Sequence, residues 1–356
     1  MTDLAARSTP QLGESPDRER FAATPGFIKL VNDGSMSQAI CVAAELHIAD
    51  ALANGPRNVE ELARDTQAHA PSLHRLMRAL ASLEICTERE DGSFSLTPMG
   101  SLLRADAPDS LRSWAIWYGT YMRPVWGELL YSVKTGQSAR KLLTGTEAFG
   151  HLERDDEVAA VFNRAMAEFT RLVASEVVRA YDFTGMRRIV DVGGGYGALI
   201  GALLAVYPHI HGLLLDLPHA IEGARAHLEN AGLAKRCELI AGDFFTSVPP
   251  DADVYLLKAV IHDWDDERSA VILRNCRRAV GKDGKLLLIE RVMPRRIEAC
   301  PLHHAIARAD LNMLVALGGR ERNEEEFAEL LASSGFKLVR LLATESEYSI
   351  LECVPS

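Results

Sequence analysis

The 356 residues contain no CxxC pair, no long uncharged apolar run and no excess of basic side chains, and each absence closes off a class of protein. The six cysteines (Cys41, Cys86, Cys237, Cys276, Cys300, Cys353) are scattered, which excludes a zinc knuckle or redox dithiol and predicts buried thiols in a reducing cytoplasm. No stretch reaches the roughly 18 to 20 apolar residues of a membrane helix, and the start lacks a basic-then-apolar export signal, so no membrane partner is expected. A net charge of −10 opposes constitutive binding to nucleic acid or an anionic membrane. Aromatic residues are only 6% of the chain, whereas 47% hydrophobic and 25% charged side chains describe a globular protein of two domains or one large one.

Four stretches differ in pattern. Residues 1–25 are polar and aperiodic, and read as a mobile arm. Residues 26–105 begin with helix-period apolar positions (Ile28, Leu30, Val31, Met36, Ala39, Ile40, Ala43). Two short helices follow, the second with Leu73, Leu76, Met77, Leu80 and Leu83 on one stripe, and then a hairpin turning at Asp91-Gly92. That outline is a winged helix-turn-helix, which raises DNA binding, but the second helix offers only Arg75, Arg78 and His74 while the wing carries Glu88, Glu90 and Asp91. Packing and dimerisation are the favoured reading, since the apolar helices exceed what one small core can cover. Residues 106–180 form a helical linker and pocket region. Within it Trp114, Trp117, Tyr118, Met122 and Trp126 make an aromatic stripe that suits a core or a flat ligand.

Residues 181–356 alternate short apolar strands (188–192, 212–216, 237–241, 254–258, 285–289) with helix-length segments, the pattern of a doubly wound parallel sheet, closed by strands near 337–342 and 348–354. The first strand ends in Asp191-Val-Gly-Gly-Gly-Tyr-Gly197, where glycines allow a tight turn and close approach of a ligand. This GxGxG lacks the third glycine of a dinucleotide fingerprint. With Asp216 at the next strand tip, able to accept from ribose hydroxyls, it points to a small adenosine-containing ligand.

With His262-Asp-Trp264 after the fourth strand, the sequence resembles the S-adenosylmethionine-dependent small-molecule O-methyltransferases, which carry a winged-helix dimerisation domain before a class I methyltransferase domain. The resemblance also rests on Asp216-Leu217-Pro, Gly242-Asp243-Phe244-Phe245, Leu257-Lys258, Glu290, Gly318-Gly-Arg-Glu321-Arg322 and Phe162-Asn-Arg-Ala-Met166. It implies an α/β fold with a seven-stranded Rossmann-like sheet, a homodimer joined through the mostly helical N-terminal domain, and a small-molecule acceptor. It implies S-adenosylmethionine as cofactor: Asp191, Gly193 and Gly195 around the methionine part, Asp216 and Leu217 at the ribose, Asp243 and Phe244 around the adenine, Lys258 at the rim. Met166 is implied beside the transferred methyl. His262 matches the base, flanked by Glu290 and Glu321, and a helix with Asp310, Asn312 and Met313 lies over the acceptor. Trp114, Tyr118, Met122 and Phe162 are the other substrate candidates.

The chemistry gives His262 an independent reason. A phenol is a poor nucleophile at neutral pH, so an imidazole within hydrogen-bond reach removes its proton as oxygen attacks the sulfonium methyl, and a carboxylate on the other ring nitrogen stabilises the imidazolium. Methyl transfer to nitrogen or sulfur, a cofactor-retaining relative with hydroxylase or decarboxylase activity, and a winged-helix DNA-binding regulator remain as alternatives. No metal is expected: Asp263, Asp265, Asp266 and Glu267 read as acids opening a helix, and His303-His304 point apart. Asn323 stands where a threonine is frequent in the family.

Overall fold

The computed structural model describes residues 16–356, with side chains from Ala23 onward, so the first 15 residues of the expected arm lie outside it. Residues 16–25, assigned to the same arm from their polarity, instead begin helix α1 (Pro16–Glu45), which continues through Pro25. Pro25 removes one main-chain hydrogen bond without ending the helix. Phe27, Ile28, Leu30 and Val31 of α1 are all more than half exposed. Its C-terminal part, with Ala43 and Ala44, is packed into a small core shared with α2 (Val59–Thr66), α3 (Ala70–Ser82) and the hairpin β1 (Cys86–Glu88) and β2 (Phe94–Leu96). Asn58 starts α2 by accepting from the Glu61 N–H while Glu61 reaches back, the reciprocal cap written into Asn-Val-Glu-Glu. Arg78 and His74 on α3 both face Glu88 of the wing, at 3.4 and 3.7 Å, so two of the three basic groups of that helix are matched by its own hairpin.

The aromatic segment is not one regular helix. After α4 (Arg112–Ile116) a π-helical turn covers Trp117–Met122, and Pro124, which has no N–H to return to Thr120, follows directly. Then come α5 (Ala139–Thr144) and the long α6 (Asp156–Ala180). Glu168 of α6 is buried and accepts the N–H groups of Ser113 and Trp114, at 3.1 and 2.8 Å, serving as a long-range cap that ties α4 to α6.

The C-terminal half is a seven-stranded sheet in the order β5-β4-β3-β6-β7-β9-β8. Its strands are β3 (Arg188–Val192), β4 (His211–Asp216), β5 (Cys237–Ala241), β6 (Val254–Lys258), β7 (Lys285–Glu290), β8 (Phe336–Ala343) and β9 (Ser349–Pro355). The first five are parallel, and β9 runs antiparallel to both β7 and β8. Their near-continuous apolar runs fit a sheet buried on both faces. One face packs Val190, Leu257 and Leu288 against α9 (Asp266–Ala279) and α11 (Glu324–Ser333), and the other packs Ile189, Leu214 and Leu256 against α6, α7 (Ala198–Val206) and α8 (Pro218–Asn230). Helix α10 (Pro301–Ala316) crosses back to α5 and joins the aromatic segment in a separate core of Trp117, Met122, Ala139 and Val315. The strand order reverses between β3 and β6, which opens a crevice above their carboxyl ends.

Candidate active site

That crevice is the mouth of a cavity of about 630 Å³, walled on one side by strand ends and on the other by helices. On the strand side Gly193 adopts φ 73°, and a Cβ there would stand 3.0 Å from Val260 Cγ2 and 3.5 Å from the Phe244 ring. Asp216 anchors the turn: its Oδ2 accepts the Gly195 N–H and its Oδ1 the Leu217 N–H, both at 2.7 Å. A carboxylate has about four acceptor positions, so lone pairs remain for a ligand. Beneath lies Asp191, whose buried Oδ2 has no partner and whose carboxyl is raised to about 7 by burial and by Asp216. Asp243 stands exposed at the rim and accepts from Phe245 N–H, while the Asn275 amide donates to the Phe244 and Phe245 carbonyls, fixing the main chain that carries the Phe244 ring. Lys258 donates to Thr170 Oγ1 at 3.1 Å and lies over Phe169 and Tyr348; burial lowers its ammonium to about 8. Met166 lines the same space from α6. Acidic groups, one aromatic face and glycine-opened backbone suit a cationic adenosyl sulfonium.

His262 follows β6 on the turn Ile261–Asp263 and is 4% exposed. Its Nδ1 is 3.1 Å from Glu321 Oε1 and 3.3 Å from Glu290 Oε2, and its Nε2 is 3.4 Å from Asp263 Oδ1. Three features hold this arrangement. Ala259 adopts φ 54°, uncommon for a residue with a Cβ, and the next two N–H groups, of Val260 and Ile261, both reach Glu290 Oε1. Gly319 approaches so closely that a Cβ would meet the His262 carbonyl at 2.1 Å, which lets Arg320 N–H bond that carbonyl and sets Glu321 beside the ring. Buried Arg322 donates to the carbonyls of Ile261 and Trp264 and to Asp266, clamping the loop. Burial opposes a charged imidazole, but Glu321, Glu290 and Asp263 together outweigh it and raise His262 to about 9. Burial also raises Asp263, to about 7. Glu321 is held below its usual range despite burial by His262 and by Arg291 at 3.5 Å, whereas Glu290, without an arginine, is pushed up. His262, Glu290 and Glu321 offer ligand atoms within 4.8 Å of one another, as a metal site does. Arg291 already supplies positive charge there, and Glu290 Oε1 is committed to backbone N–H groups.

Of the expected substrate contacts, Trp114, Tyr118, Met122, Phe162, Asn312 and Met313 line the cavity. Trp114 stacks on Phe169 at 4.6 Å, and Asn312 accepts from the Trp126 indole. Asp310 does not line it; its carboxylate accepts the Glu321 N–H and so stands behind Glu321 and His262. Glu290 and Glu321 are also off the surface and reach the cavity only through His262. Asp263, read with its neighbours as a helix-opening acid, belongs to the cavity floor, and Asp265 alone is the cap of α9. Sequence reasoning missed Arg140, His151, Phe149 and Tyr348, which also line it; they lie on a short helix, a loop and the end of the chain, with no motif to mark them.

Comparison with known proteins decides the family. Residues 126–337 match the model of the O-methyltransferase domain, and residues 28–106 that of the O-methyltransferase dimerisation domain. The phenazine O-methyltransferase of Lysobacter antibioticus is 44% identical, over 92% of this chain and 95% of that protein. The chain belongs to the O-methyltransferase family. Two further relatives bracket its chemistry. The crystal structure of a neocarzinostatin-biosynthesis O-methyltransferase, with S-adenosylmethionine and 2-hydroxy-5-methyl naphthoic acid, superposes with a TM-score of 0.73 at 34% identity, over 90% of this chain and 96% of that one. The phenazine-1-carboxylate N-methyltransferase of Pseudomonas aeruginosa is 32% identical over 92% and 96%. For this O-methyltransferase the expected α/β methyltransferase fold, enzyme class and S-adenosylmethionine cofactor are borne out, and among the described residues no helix is long and apolar enough to cross a membrane.

Proposed function

We propose that the enzyme methylates a phenolic hydroxyl of a flat aromatic metabolite, with His262 as the base. The observation that carries this is His262 itself, lining the cavity between the cofactor cradle and the aromatic wall with its far ring nitrogen on Glu321. When bound, S-adenosylmethionine supplies an electrophilic methyl on a sulfonium, open to in-line attack by oxygen.

The backbone at Gly193 and Gly195, with Asp191, holds the methionine end; Asp216 and Leu217 take the ribose, Asp243 and Phe244 the adenine, and Lys258 closes the rim. Met166 stands beside the transferred methyl. Trp114, Tyr118, Met122, Phe162, Asn312 and Met313 sandwich the acceptor. His262 Nε2 receives the hydroxyl proton while Nδ1–H donates to Glu321, which stabilises the imidazolium. Glu290 orients the turn through Val260 and Ile261, and Asp310 orients Glu321.

The exposed apolar face of α1 and the dimerisation-domain match support a homodimer through the N-terminal domain. We retain 26–105, 106–180 and 181–356 as its functional divisions. Six free cysteines suit a reducing compartment such as the cytoplasm.

S-Adenosylhomocysteine formation over phenols, anilines and thioethers, by wild type and His262→Ala, tests the reading. Turnover on a hydroxyl compound that collapses in the variant supports it. Methylation of nitrogen that survives the variant supports the second reading, which a base already protonated at neutral pH and the N-methylating relative favour.

A further inference from the structure

Two cations line the helical side of the cavity without a counter-ion. Arg140, on the first turn of α5, is 5% exposed. Its Nη1 donates to His151 Nε2 at 3.0 Å, its Nη2 contacts Met122 Sδ at 2.6 Å, its Cζ lies 5.2 Å from the Trp117 ring centre, and its buried Nε–H has no acceptor. All three neighbours are uncharged. His151 is held neutral because burial and Arg140 lower its pKa to about 4, and its Nδ1–H donates to the Ala148 carbonyl, which leaves Nε2 to accept. Among the described residues no carboxylate stands within ion-pair distance of Arg140. A helix N-terminus is also the unfavourable end for a cation, so only the Trp117 ring face compensates this charge locally. Burial lowers the guanidinium only to about 10, and it therefore stays charged at neutral pH. Arg308, on α10, is half-buried and likewise unpaired: its Nη1 lies 3.4 Å from the Tyr118 hydroxyl and its Cζ 5.6 Å over the Tyr118 ring, with no carboxylate partner among the described residues. The other arginines of the cavity are matched, Arg291 by Glu321 and Glu347 and Arg268 by Asp265.

A buried guanidinium with idle donors is costly until an anion arrives, and its planar fork matches a carboxylate. We propose that Arg140, assisted by Arg308, receives a carboxylate of the acceptor, so that the substrate class is a hydroxylated aromatic acid. This rests on the O-methylation reading above. The cations at the base end, His262 and Arg291, are already matched by Glu321 and Glu347 whereas Arg140 and Arg308 are unmatched, so the acid enters in one orientation, with the hydroxyl at His262 and the carboxylate at the arginines. The oxygen–methyl bond forms as the sulfonium–methyl bond breaks, the hydroxyl proton passes to His262 Nε2, and the carboxylate leaves unmethylated.

Binding and turnover separate this inference from the reading beneath it. With S-adenosylhomocysteine present, 2-naphthoate and 2-naphthamide, which cannot be methylated at a ring hydroxyl, are titrated against tryptophan fluorescence. Wild type is expected to favour the acid by about tenfold or more, Arg140→Met to bring the two within about twofold, and Arg140→Lys to keep part of the preference. Equal affinities in wild type, a comparison that needs no variant to fold, overturn the proposal; so does a preference that survives both Arg140→Met and Arg308→Met. In parallel, 6-hydroxy-2-naphthoate and 2-naphthol are offered with S-adenosylmethionine. A methyl ether formed preferentially from the acid supports both inferences, and a methyl ester overturns the proposed orientation. An acid preference in binding with no methyl transfer to any hydroxyl supports the arginine site and sinks O-methylation alone.

Discussion

The two walls of the cavity are built differently. The strand wall uses backbone: a positive-φ glycine, N–H groups at a strand end and one anchoring acid, all within a few residues of the tips of adjacent parallel strands. The helical wall uses side chains from α4, its π turn, α5, α6 and α10, held by contacts such as Glu168 to Ser113 and Trp114 that span more than 50 residues of chain. Backbone built into a sheet gives a fixed cradle for one cofactor. Side chains on separate helices can be exchanged singly, so under the proposed function selectivity for the acceptor belongs to that wall.

His262 stands where the walls meet, so the first prediction has the largest effect. His262→Ala should lower turnover by about 10²- to 10⁴-fold and leave binding of S-adenosylmethionine, read by calorimetry, near wild type. A comparable loss of cofactor affinity would mean that the base is part of the cradle. Next, Asp216→Ala removes the acceptor of two backbone N–H groups and should weaken cofactor binding by about tenfold or more while leaving the ranking of acceptors unchanged. A changed ranking would break the separation of the walls.

The pH profile tests the junction. His262 accepts a proton only when neutral, and with its pKa near 9 about 1% is neutral at pH 7, so kcat/KM should climb about tenfold per unit and level off near pH 9. Glu321→Gln removes a negative neighbour, lowers that pKa and should move the rising limb about one unit towards acid; an unmoved limb would assign it to another group.

On the helical wall, Glu168→Ala leaves the Ser113 and Trp114 N–H groups unpaired. It should cost about 1–2 kcal/mol in urea unfolding and raise the acceptor KM, with cofactor affinity unchanged. The smallest effect is expected far from both walls: Asn323 caps α11 through Glu326 in a reciprocal pair, so Asn323→Thr, the residue frequent in the family, should alter stability by less than about 0.5 kcal/mol.

The uneven legibility of the sequence follows from the same contrast. Asp191 to Gly197 and Asp216 could be read because strand, turn and anchoring acid are local, and His262 because His262-Asp-Trp264 just beyond a strand resembles a family motif. At 16–25 polar residues conceal a helix that continues into an apolar one. Spacing groups Asp263 with the acids beside it and cannot reveal that one of four faces the cavity. Helical position groups Asp310 with Asn312 and Met313 but does not tell which neighbour a carboxylate finds. Arg140 carries no local signal at all, since an arginine opening a short helix looks exposed until Trp117, Met122 and His151 close over it.

By itself, the sequence determined the order of strands and helices, the doubly wound sheet and the glycine turn, because periodicity and strand-end chemistry act over a few neighbouring residues, and the family resemblance around His262 marked the proposed base. Only the tertiary structure decided which carboxylate faces each nitrogen of His262, which acids lie behind the cavity and that two arginines line it unpaired. Those outcomes depend on burial and on contacts between segments far apart in the chain, where a displacement of a few ångströms determines whether a charge is paired, solvated or left for a ligand.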